Sequence, residues 1–184
     1  MVIAGVVIGI VIILVLLYNS LINKKNQVES SFGGMDVQLK KRYDLIPNLI
    51  SAVKTYMKHE ANTLTEITEL RTKALSGGIS DDEKVDLDNK ITSHLSGIMV
   101  AVENYPDLKA SDNFIQLQRS LNEVEEQISA SRRSYNAAVT DYNNGVEMFP
   151  TNLIAGMMSF KRKNVFEIPD VQRENVDVEN LFNN

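Results

Sequence analysis

The sequence predicts an all-α chain, with an N-terminal transmembrane helix continuing into an elongated, antiparallel, coiled-coil-like helical bundle. Three observations predict it. Met1 to Leu17 is an unbroken apolar run. From Val28 onward apolar residues recur at gaps of three and four, the spacing of one helix face. No stretch alternates apolar and polar residues long enough to make a strand pair. At 184 residues there is room for one domain with an appendage.

The apolar run, MVIAGVVIGIVIILVLL, is followed by Tyr18, and the first charged side chain is Lys24. A bilayer's hydrocarbon core takes roughly 20 residues of helix. The run meets that length if Tyr18 sits at the headgroups, where aromatic belts form. A cleaved signal peptide would need a charged leading segment and a small-x-small cleavage site. The run carries no side-chain charge, and Tyr18–Asn23 is a poor cleavage sequence. Residues 1–23 are therefore expected to be a retained single-pass anchor, with the lipid bilayer as the first partner. Lys24, Lys25, Lys40, Lys41 and Arg42 all follow it, and the positive-inside rule puts the helical body in the cytoplasm. Gly5 and Gly9 form a G-x-x-x-G pair, which lets two such helices approach closely.

The body is expected over residues 24–163. Its first helix, 24–76, carries the stripe Val28, Phe32, Met35, Leu39, Tyr43, Ile46, Ile50, Val53, Met57, Leu64, Ile67 and Ala74. The stripe holds its phase through Pro47, so a kink is expected at Tyr43–Pro47, with Asp44 capping freed N–H groups, in place of a chain reversal. Gly33-Gly34 weakens this helix by about 2 kcal/mol against two alanines and marks a potential hinge. Ser76-Gly77-Gly78 ends the helix, and Ser80-Asp81-Asp82-Glu83 is a capping box that starts the next, 81–105. Pro106 stops that one. A third helix, 112–149, carries Leu117, Leu121, Val124, Ile128, Ser131, Tyr135, Ala138, Tyr142, Gly145 and Phe149 in heptad spacing. A short helix is expected at 151–163 and a loose polar acidic tail at 164–184. On this reading the long first helix leaves part of its stripe uncovered. Together with Gly5 and Gly9, that points to a homo-oligomer.

Composition narrows the chemistry. There is no cysteine and only two histidines, so neither a thiolate nor a histidine-built metal site is expected. The 24 acidic against 19 basic residues leave a net charge of -5, which argues against nucleic-acid binding. His59-Glu60 is not followed by the second histidine of a zinc-binding helix, because residue 63 is Thr63. No glutamate has a histidine three residues later, which excludes the di-metal bundle motif. No nucleophile elbow or phosphate loop is present. The chain is thus expected to be no enzyme, with no cofactor and no small-molecule substrate. The basic clusters Lys40-Lys41-Arg42 and Arg132-Arg133 read first as solvated helix faces; in a sharper reading Arg42 or Arg132 meets Asp44 or Glu60 across the bundle and fixes its register. Lys161-Arg162-Lys163, beside Met157, Met158 and Phe160, forms a basic-apolar cluster suited to an anionic membrane or a partner.

Several segments occur together in a specific order: Tyr18-Asn19-Ser20-Leu21, Asp36–Leu49 (DVQLKKRYDLIPNL), Lys58-His59-Glu60, Glu103–Ala110 (ENYPDLKA), Asn113–Gln118 (NFIQLQ), Arg132–Asn136 (RRSYN) and Phe149–Leu153 (FPTNL). In these the chain resembles the bacterial LemA family from about residue 18 to 160. The resemblance implies a single N-terminal membrane helix followed by an elongated helical bundle in a bacterial cell membrane. It carries over no catalytic residue. Members of the family are often encoded near a membrane-bound zinc metalloprotease, and a relative occurs in magnetosome membranes. The resemblance therefore implies a membrane scaffold or adaptor, or a regulatory or signalling subunit of another membrane protein such as that protease. Gly33-Gly34 departs from the helix-favouring residues expected there.

Overall fold

The computed structural model describes residues 1–166, and all regular structure among them is helical. Helix α1 spans Val2–Val53, α2 Ala61–Ala74, α3 Asp81–Val102, α4 Pro106–Lys109, α5 Asp112–Glu147 and α6 Thr151–Met157. With 52 residues, α1 is about 78 Å long at 1.5 Å per residue. It runs without interruption from the apolar N-terminal segment into the body. That segment is long and apolar enough to cross a membrane, and none of its most apolar stretch is buried.

The expected first helix, 24–76, is not one helix but two. The chain reverses at residues 54–60, and α2 returns antiparallel to α1, with Arg71 lying beside Tyr43. The turn contains neither glycine nor proline. Its driving force is tertiary. Met57 is fully buried in the corner, and the fold-back also buries Leu64, Ile67 and Ala74, which a straight helix would leave facing water. The stripe keeps its phase because both arms point inward, so periodicity alone could not reveal the reversal.

Helix α1 is continuous through Pro47, and the cost of that proline is met elsewhere. Proline has no N–H to offer the carbonyl four residues back, which is Tyr43. Arg71 Nε of α2 donates to that carbonyl oxygen at 2.7 Å. Asp44 does not cap the helix; it is exposed and accepts from Lys40 Nζ at 2.7 Å. Arg71→Met should therefore destabilise the bundle by about 1–3 kcal/mol, the cost of an unsatisfied buried acceptor. In a Pro47→Ala background, where the alanine itself supplies the missing N–H, urea melts should show a clearly smaller loss. Equal losses in both backgrounds would mean Arg71 does not compensate for the proline.

Helix α3 starts as its capping box requires: Ser80 Oγ accepts from the Glu83 N–H at 3.2 Å, after a turn in which Gly78 adopts φ +87°. It runs parallel to α1, with Lys84 beside Asp36 and Tyr105 beside Glu60. Its last turn is looser than expected. Helix α3 ends at Val102, and Pro106 opens the separate one-turn α4, whose Leu108 is buried.

Helix α5 then descends antiparallel to α1, placing Glu125 beside Arg42, Tyr135 beside Phe32 and Asp141 beside Lys24. These two helices pack along much of their length. A side chain at Gly145 would put its Cβ 3.0 Å from Lys24 Cδ and 3.2 Å from Leu21 Cδ2. The body is thus a four-helix bundle of α1, α2, α3 and α5 around one core. That core includes Met35, Leu39, Ile46, Ile67, Ile91 and Ile128, all fully buried. The stripe of α1 is covered within the chain. Phe149, expected on the seam of the third helix, is instead exposed beyond the end of α5. The short helix expected at 151–163 stops at Met157, and an extended segment follows it to Phe166. Of the expected loose tail, Asn164 to Phe166 lie against α5, and residues 167–184 fall outside the described residues.

Candidate functional site

The most distinctive chemistry of the body lies inside its core. Arg42 stands in the α1 stripe between Leu39 and Ile46, at the spacing of an apolar residue. Asp88 stands in phase with Thr92, Leu95, Met99 and Val102 on α3. Glu125 and Arg132 stand in phase with Leu121, Ile128 and Tyr135 on α5. Four charges are therefore carried inward by the same periodicity that builds the core.

They meet. Arg42 Nη1 donates to Asp88 Oδ1 at 2.7 Å and to Thr92 Oγ1 at 2.8 Å. Its Nη2 pairs with Glu125 Oε2, and Arg132 Nη2 pairs with the second oxygen of Asp88. Asp88 is fully buried and Arg42 is 1% exposed, while Glu125 reaches the rim. Burial pulls the Arg42 guanidinium below its ordinary pKa, and the neighbouring Asp88 carboxylate opposes that shift. Two cations and two anions on three helices leave the cluster neutral. A cleft of about 310 Å³, lined in part by Arg42, Thr92, Asn122 and Glu125, opens beside it between α3 and α5.

Sequence reasoning picks Arg42 and Arg132 but gives them the wrong partners. Asp44 faces solvent, and Glu60 lies in the 54–60 turn, where the Tyr105 hydroxyl donates to its carboxylate at 3.1 Å. The signal that could have found Asp88 and Glu125 is their position: acids in register with apolar stripes, on helices facing Arg42. Gly5 and Gly9 lie on the uncovered N-terminal stretch, with no atom within 4 Å of where a Cβ would stand. His59 is exposed, and His94 Nε2 lies 3.6 Å from Glu66 Oε2. Among the described residues no three His, Cys, Asp or Glu side chains gather as metal ligands would.

A second constellation has no counterpart in the sequence reading. Asn143 grips the backbone of Lys163 at both groups: its Nδ2 donates to the carbonyl at 2.9 Å and its Oδ1 accepts from the N–H at 3.0 Å. Asn136 grips Phe166 in the same way, at 2.9 and 2.8 Å. Seven helical residues span about 10.5 Å. Three extended residues span about 10 Å. The two asparagines therefore match the register of residues 161–166, a strap laid along α5. The Phe166 ring packs edge-on to Tyr135 at 5.2 Å, and Tyr135 packs edge-on to Phe32 at 5.8 Å. Arg132 lies 5.7 Å from the Phe166 ring centre, so the strap ends against the ionic core. Burial, reinforced by Asp81 and Asp82, pushes the Tyr135 hydroxyl up to about 12.

The model of the LemA family matches residues 31–180. Protein LemA of Metamycoplasma hominis is 27% identical over 165 residues, covering 90% of this chain and 75% of that protein. Magnetosome protein MamQ 2 of Paramagnetospirillum magneticum is 23% identical, covering 88% of this chain and 68% of its own length. Magnetosome protein MamQ of Magnetospirillum gryphiswaldense is 20% identical, covering 83% and 65%. An apolar N-terminal helix running unbroken into a helical body, and a family match over most of its length, place this chain in the LemA family as a membrane-associated helical protein.

Proposed function

We propose that this chain is a non-enzymatic, membrane-anchored scaffold or adaptor that self-associates in the bilayer plane and carries its bundle on the cytoplasmic side. The observation that carries the reading is the continuity of α1: one helix serves as both anchor and bundle strut. A body joined to its anchor without a linker holds a fixed pose above the membrane, which suits a scaffold. The four charges of the core, Arg42, Asp88, Glu125 and Arg132, are paired with one another, which supports a structural use over a chemical one. Lys24, Lys25, Lys40 and Lys41 support the cytoplasmic orientation.

The apolar stripe of α1 is covered inside the bundle, so self-association rests on the anchor. Gly5 and Gly9 offer the close-packing face. Chains held in one membrane plane also meet at raised effective concentration. Full-length protein in mild detergent is expected to sediment as a discrete oligomer. Gly5→Ile with Gly9→Ile should reduce its order or weaken it, and removal of residues 1–23 should leave a monomer or weak dimer. A monomer at every detergent ratio would overturn self-association and favour a regulatory subunit that assembles only with another membrane protein, such as a membrane-bound zinc metalloprotease.

A further inference from the structure

We infer that the elbow joining α5 to α6 is a second membrane contact, seated in the headgroup and upper acyl region of the bilayer that α1 crosses. This rests on α1 being the anchor, and it follows from where α6 lies along that helix.

The run Met1–Leu17 is about 25 Å long at standard rise. The stretch stays uncharged from Leu17 to Asn23 and the first charged side chain is Lys24, so the edge of the hydrocarbon core falls on α1 between Leu17 and Lys24. Helix α6 meets α1 at this level: Ile154 and Ala155 are buried against Leu21, with Leu17 packed at the edge of the cluster. A segment that touches α1 at Leu17 and Leu21 is held at the boundary of the hydrocarbon, whatever tilt the bundle adopts.

The outward surface of the elbow suits that place and not water. Met148, Phe149, Leu153, Met157 and Met158 are each more than half exposed, within eleven residues of chain. Leu153 and Met157 are i, i+4 neighbours on the face of α6 away from α1. Elsewhere in the body large exposed apolar side chains are scattered, as at Val37, Leu75 and Val100. Large exposed apolar side chains crowded into so short a stretch mark a contact surface. Lys161 and Arg162, both exposed, follow after Ser159 and Phe160, with Arg162 also reaching Glu147 at 2.9 Å; Lys24 and Lys25 stand just beyond Leu21 on α1, beside Asp141 and Glu29. Apolar side chains at the acyl boundary with lysine and arginine at the headgroups are the pattern of an interfacial segment. The bilayer is the occupant to which α1 already commits the elbow.

The chain contains no tryptophan, so single tryptophans report directly. The full-length F149W and L153W variants would be placed in vesicles of phosphatidylethanolamine and phosphatidylglycerol, with lipids brominated near the top of the acyl chain as quenchers. L14W in the spanning run and V100W far from it serve as references. F149W and L153W are expected to show blue-shifted emission and quenching comparable to L14W, while V100W stays unquenched. If both behave like V100W while L14W is quenched, the anchor stands and the elbow contact is overturned. Blue-shifted emission without quenching would place protein, such as a second copy, over the elbow and would also overturn it. Loss of L14W quenching would overturn the anchor itself, and the elbow contact with it.

Discussion

Asp88→Ala is expected to destabilise the bundle by about 3–5 kcal/mol, the usual cost of removing one partner from a buried ion pair. Asp88 is fully buried and accepts from both Arg42 and Arg132. Its loss leaves the Arg42 guanidinium in the core with only Glu125, at the rim, and the Thr92 hydroxyl. Most of the cost is the uncompensated cation, not the lost attraction. Replacing Arg42 by methionine in the same molecule should therefore recover a large part of it. Breaking an exposed pair such as Lys40–Asp44 should cost well under about 1 kcal/mol. Urea unfolding of these variants measures all of this. A loss for Asp88→Ala no larger than for Lys40→Ala would show that the charges reach water.

Phe32→Ala is expected to cost about 3–5 kcal/mol by leaving a cavity where α1 faces α5. It should also loosen the C-terminal strap. Phe32 supports Tyr135, and Tyr135 supports the buried Phe166. With the stack broken, the strap keeps the Asn136 and Asn143 bonds but loses the backing of its aromatic end. Trypsin should then cut after Lys161, Arg162 or Lys163 faster than in the parent chain, at concentrations where the bundle remains folded. Lower stability with unchanged cleavage would mean that the strap is held by its asparagines alone.

The features legible in the sequence are those written in local chemistry. The apolar N-terminal helix follows from an uncharged run, the start of α3 from Ser80 and Glu83, and the length of α5 from a stripe ended by Pro150. The reversal at 54–60 is not legible, because no glycine or proline marks it and Met57 keeps the stripe in phase through the corner. The partner of Pro47 is hidden for a related reason. Arg71 reaches Tyr43 only once α2 has folded back. In the core, Arg42 and Arg132 stand out as charges near apolar stripes, while Asp88 is masked by the neighbouring row of Leu87 and Ile91. The strap leaves no periodic trace at all. Asn136 and Asn143 bind backbone, which any sequence would offer, so nothing in residues 161–166 announces the pairing.

The apolar N-terminal segment and the bundle share one uninterrupted helix, including the Gly33-Gly34 step that the sequence marks as a hinge. Phe32 and Met35, on either side of that step, are both buried against the body. Hydrogen exchange on the full-length protein in vesicles, resolved over residues 24–46, tests this continuity most directly. Amides of Ser31 to Asp36 should exchange as slowly as those around Leu39 to Ile46, as one helix locked by packing requires. Fast exchange confined to Phe32–Met35, with slow exchange on both sides, would contradict the claim and make Gly33-Gly34 a joint between the membrane and the bundle.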